Sequence, residues 1–103
     1  VDGGVVVKTF WMLFARYEGR PAVPAEEVCR DFFGHLDTPK FIRKVDAGDI
    51  DLPLIRSEAS AKAARLVQLT DLAAYIDARS SEARDLNDKL HGRKVRQAND
   101  NAA

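Results

Sequence analysis

Lys40, Arg43 and Lys44 stand at helical spacing, and Asp46, Asp49 and Asp51 follow them at once. Cations at i, i+3 and i+4 share one face of a helix. A guanidinium on such a face can bridge O6 and N7 of a guanine, and an ammonium can neutralise a phosphate. A second basic set, Arg56, Lys62 and Arg65, brackets the small-residue run "SEASAKAA". Neither set is specific alone, because basic residues on a solvated helix face are commonplace. Their meaning depends on the elements that carry them.

Other chemistry finds less support. Cys29, His35 and His91 show no metal-ligand spacing, so no metal or cofactor is expected. Cys29 falls between Val28 and Phe32 in a helical stretch, where a buried thiol is the default. Glu26, Glu27 and Asp31 have no partner that suggests acid–base work, and Gly3-Gly4 precedes no strand–helix unit that could cradle a phosphate. No catalytic residue is assigned, and the chain is not expected to be an enzyme.

The elements follow from periodicity and punctuation. Phe10, Leu13, Phe14 and Tyr17 give a short amphipathic helix over 8–17, with Thr9 as its cap. "EGRPAVP" interrupts it. A helix over 25–33 starts behind Pro24, carries Glu26 and Glu27 at its positive end, and turns Val28, Phe32 and Phe33 inward. Gly34 stops it in the left-handed position. Thr38 as N-cap and Pro39 at the first helical position start a second helix running to Ala47, with Phe41, Ile42 and Val45 inward and Gly48 closing it. Two short helices joined by a glycine-containing turn read as a helix-turn-helix.

After Gly48 the period changes. "LPLIR" (52–56) and "RLVQL" (65–69) read as a hairpin with a mobile tip, and Thr70 caps a last helix whose second half is nearly all polar. The fold class expected is mainly α with a small β-hairpin (α+β), a winged helix-turn-helix. The domain reading is a disordered N-terminus over 1–7, a winged helix-turn-helix DNA-binding domain over 8–90, and a disordered basic and polar tail over 91–103. In that architecture the second helix of the pair enters the major groove and the hairpin lies along the neighbouring backbone. Lys40, Arg43 and Lys44 are then the side left over once Phe41, Ile42 and Val45 face the core. Asp46, Asp49 and Asp51 come at and beyond the helix's far end and would lie away from the duplex.

Composition sets the limits. The chain has 103 residues, 46% hydrophobic and 31% charged, which suits one small domain with a modest core. Sixteen basic residues balance sixteen acidic ones, so a nucleic-acid partner must be recognised by local clusters and not by bulk charge. A single cysteine cannot form an internal disulfide, and no apolar run approaches the ~20 residues that span a bilayer. A cytoplasmic protein without a membrane partner is expected, on the bacterial nucleoid when bound to DNA.

The stretches "VPAEEVCRDFFG", "KFIRKVDAGDIDLP" and "LTDLAAYIDAR" resemble the pyocin activator (PrtN-like) family of small bacterial DNA-binding proteins, over about residues 10–84. That family is similar to MerR-type winged helices and to the excisionases built on the same scaffold. It includes recombination directionality factors of integrative and conjugative elements. The resemblance implies sequence-specific binding of double-stranded DNA. It assigns recognition-helix positions to Thr38, Lys40, Arg43 and Lys44, and wing positions to Arg56, Ser60, Lys62 and Arg65. Arg93, Lys94 and Arg96 are candidate tail contacts outside the matched stretch.

The first function expected is a recombination directionality factor, which binds and bends an attachment site to direct integrase-mediated excision of a mobile element. Copies would line up head to tail on DNA, the acidic residues 46, 49 and 51 of one meeting the basic tail of the next. The alternatives are a transcriptional activator of prophage or bacteriocin genes that contacts RNA polymerase, and a winged-helix adaptor that has lost DNA binding.

Overall fold

A computed structural model describes residues 3–60 and 62–93 of the chain. It is mostly helical with one small antiparallel sheet, as expected of an α+β chain. Helix α1 spans Gly3–Arg16, β1 Ala22–Pro24, α2 Ala25–Phe32, α3 Thr38–Asp46, β2 Ile55–Arg56, β3 Arg65–Gln68 and α4 Leu69–Leu90. No helix among the described residues is long and apolar enough to cross a membrane.

Helix α1 begins at Gly3 and not at Lys8, so residues 3–7, expected to be disordered, are helical. Two glycines and three valines are poor helix formers, but α1 packs along α4, and tertiary packing overrides so weak a preference. Thr9 is therefore inside the helix and caps nothing. Its Oγ1 donates to Asp77 Oδ1 of α4 at 2.7 Å. Leu13 and Tyr17 are buried, Phe10 and Phe14 pack against the core, and Trp11 and Met12 face outward. The helix ends where Glu18 and Gly19 both take positive φ, at 58° and 79°. The Gly19 N–H then returns to the Phe14 carbonyl at 2.8 Å.

The "RPAVP" stretch, expected only to interrupt the chain, forms β1. It pairs antiparallel with β3, Val23 opposite Val67, and both valines are fully buried. Strand β2 pairs with the other side of β3, giving the order β1-β3-β2. Proline is tolerated in β1 because an edge strand can do without its N–H.

Pro24 precedes α2, whose inward residues are Ala25, Val28 and Cys29. Phe33 is buried while Phe32 is 42% exposed, so only one of the two expected inward aromatics faces the core. Gly34 does not take a left-handed φ. The helix ends instead at Phe33, with φ −132° and ψ 47°.

The next helix starts one residue earlier in cap terms than its sequence suggests. Asp37 is the N-cap of α3, its carboxylate accepting from the Lys40 N–H at 2.9 Å, and Thr38 stands at the first helical position. Gly48, with φ 85°, closes α3 as expected. Gln68 precedes α4 directly without a side-chain cap, and Thr70 lies within the helix.

The core gathers Leu13, Tyr17, Val23, Val28, Phe33, Phe41, Leu52, Val67, Leu69 and Leu72. Phe41 is fully buried and meets Phe33, ring centroids 4.7 Å apart, where Phe32 was expected to be its partner. At the edge of this core the Tyr17 hydroxyl donates to Asp31 Oδ2 at 2.8 Å. Burial and that hydrogen bond push the Tyr17 hydroxyl well above its usual range. The same bond, with the charges of Arg16 and Arg30, holds the Asp31 carboxyl below the ordinary carboxylate range.

Candidate nucleic-acid interface

Helix α3 buries one side and leaves the other free. Phe41 is inside, Ile42 and Val45 pack against the core, and Lys40, Arg43 and Lys44 are exposed. The pattern has a local cause. Apolar residues at 41, 42 and 45 fix the inward stripe, so positions 40, 43 and 44 must project outward. Thr38 is half-buried at the first turn.

The hairpin presents its basic residues differently. Arg56 and Arg65 occupy directly opposed positions of β2 and β3, so their side chains leave the same face of the sheet. Arg56 is exposed. Arg65 is not free: its Nη2 donates to Asp46 Oδ1 at 2.8 Å and its Nη1 to Asp46 Oδ2 at 3.4 Å. Between the strands the Ser57 N–H donates to the Ala64 carbonyl at 3.0 Å. The Ser60 Oγ accepts from the Lys62 N–H at 3.2 Å, and Lys62 is exposed.

The acidic residues that follow α3 divide into two roles. Asp46, the last residue of α3, turns to the hairpin, a contact that the expected place of the three acids at and beyond the helix end did not include. Hydrogen bonds from Arg65, joined by the charges of Arg65 and Arg56, hold the Asp46 carboxyl below the usual carboxylate range. Asp49 and Asp51 instead line a groove of roughly 560 Å³ with Asp71, Tyr75, Arg79 and Glu82 of α4. The pairing of Asp46 with Arg65 carries no signal in local periodicity, and reading it from sequence would have required the strand register.

In the tail, Arg93 folds back on the end of α4. Its Nε lies 3.0 Å from Asp88 Oδ1, and its N–H donates to the Asp88 carbonyl at 2.7 Å. Lys94 and Arg96, also candidate contacts, lie outside the described residues. Cys29 is buried, its Sγ 3.4 Å from the Leu36 carbonyl oxygen. No group of three or more possible metal ligands comes together among the described residues.

A family model described as "Pyocin activator protein PrtN" matches residues 9–83. The chain belongs to this family. The match runs from within α1 to the middle of α4, and takes in α3 and the whole hairpin. Membership places the chain among regulatory proteins. No curated protein and no solved structure matches the chain.

Proposed function

We propose that the chain is a transcriptional activator that binds double-stranded DNA through a winged helix-turn-helix. Helices α2 and α3 form the helix-turn-helix, and β2 and β3 form the wing. The observation that carries the reading is family membership over residues 9–83, a span that contains both basic elements. The order of elements agrees with it: a helix pair, the second helix basic on its exposed side, followed by a hairpin with Arg56 and Lys62 projecting. Arg43 reads base edges in the major groove, Lys40 and Lys44 flank it on phosphates, and Arg56 and Lys62 meet the adjacent backbone. Thr38, at the start of α3, is placed for a phosphate contact through hydroxyl or N–H. Such a protein works in the bacterial cytoplasm, on the nucleoid.

Direction of integrase-mediated excision, the first function considered on sequence grounds, is the weaker reading, since the matching family is described by activation. Its support is the balance of charge, sixteen basic against sixteen acidic residues, which would let copies line up on one duplex without strong repulsion.

Run-off transcription separates the two. A promoter template carrying the duplex that the chain selects from a random-sequence pool should give more transcript with bacterial RNA polymerase when the chain is added. Unchanged transcript together with strong bending of the bound duplex would favour excision.

A further inference from the structure

Asp46 is the last residue of α3 and Arg65 the first of β3, and their contact is a two-point guanidinium–carboxylate bridge. Among the described residues its two hydrogen bonds are the side-chain hydrogen bonds that join α3 to the hairpin. The Arg65 side chain is 15% exposed against 53% for Asp46. Its Nε is enclosed and meets no acceptor among the described residues, so Asp46 supplies what satisfaction the guanidinium has.

The arrangement would be unfavourable without the pair. Arg56 and Arg65 oppose each other across β2 and β3, and like charges in that position repel. A carboxylate in the last turn of a helix faces the negative end of the helix dipole. Each problem is answered by the other group. Asp46 neutralises the crowded cations, and Arg65 offsets the dipole.

We propose that Asp46 is a specificity-determining positioning residue: it holds Arg65 so that the hairpin is fixed against the end of α3 and Arg65 is withheld from DNA phosphate. The inference rests on the DNA-binding reading above. A hairpin locked to the recognition helix lets only duplexes of matching groove geometry satisfy both elements. A released Arg65 would be one more cation for any phosphate, which strengthens binding without regard to sequence.

The test uses the full chain, the duplex it enriches from a random-sequence pool, and a random duplex of the same length, over a range of salt concentrations. Asp46→Asn should bind the random duplex more tightly, with a salt slope steeper by about 0.9 for the one extra phosphate contact. The ratio of selected to random affinity should fall about tenfold, as loss of a coupled pair implies. Asp46→Glu, which keeps the charge, should hold the native slope. The double variant Asp46→Asn/Arg65→Ala should lose the steeper slope while the ratio stays low. A native slope and ratio in Asp46→Asn would overturn the inference, as would a steeper slope that survives in the double variant. Failure of the unaltered chain to bind any duplex would remove the DNA-binding reading and this inference with it.

Discussion

At the scale of single residues, the polar groups near the core do more for stability than the exposed cations do. Tyr17 and Asp31 are the clearest pair: a buried ring, a hydroxyl donating at 2.8 Å, and a carboxylate that Arg16 and Arg30 also approach. The Asp31 pKa is depressed in the folded chain. Its contribution is therefore present above the unfolded value of about 3.9 and is lost as the pH falls through the folded value. Tyr17→Phe removes the donor. It should cost about 1.5–3 kcal/mol at neutral pH, as a hydrogen bond to a charged group does. In urea titrations the gap from the unaltered chain should narrow as the pH drops below the ordinary carboxylate range. A gap that stays constant into acid would mean the hydroxyl acts through packing alone.

At the scale of elements, α3 is held by one aromatic anchor. Phe41 is fully buried against Phe33, and Phe33 in turn lies against Tyr75 of α4, ring centroids 5.8 Å apart. Phe41→Ala should cost roughly 3–5 kcal/mol, a large part of what a small domain has. Thermal unfolding near the native temperature would contradict that anchoring role. Much of this layer was legible in the sequence. The 41, 42, 45 spacing placed the inward face of α3, and Gly48 marked its end. Where sequence failed, the deciding force lay outside the local window. Thr38 looked like the cap, but Asp37 alongside it has the carboxylate that accepts the Lys40 N–H. The spacing from Val28 favours Phe32 over Phe33, and it is packing against Phe41 of α3 and Tyr75 of α4 that turns Phe33 inward instead. Strand β1 is three residues among prolines, and its existence depends on β3, more than forty positions downstream in the same register. Helix α1 starts early because α4 lies along it, a contact that no cap residue announces.

At the scale of the molecule, charge is balanced overall and separated locally. The net charge is zero, so long-range attraction to DNA is weak and binding must come from where the cations stand. Lys40, Arg43 and Lys44 share the exposed side of α3 and Arg56 and Lys62 project from the hairpin, while Asp49, Asp51, Asp71 and Glu82 collect around a groove beside α4. The basic residues at 40, 43 and 44 were legible as one helix face. That Asp46 would turn to Arg65, leaving Asp49 and Asp51 to the groove, became visible only with the strand register in place. This distribution makes a sharp demand on any DNA complex: a cation on α3 should matter for sequence, not just for affinity. Equilibrium binding of the full chain and of Arg43→Ala, on the selected duplex and on a random one, measures it directly. Arg43→Ala should lose about 1–3 kcal/mol on the selected duplex and relax base preference at one position, with random binding little changed. Equal weakening on both duplexes would make Arg43 a phosphate contact and contradict sequence reading by it. No binding by the unaltered chain to either duplex would contradict recognition of DNA by the exposed face of α3.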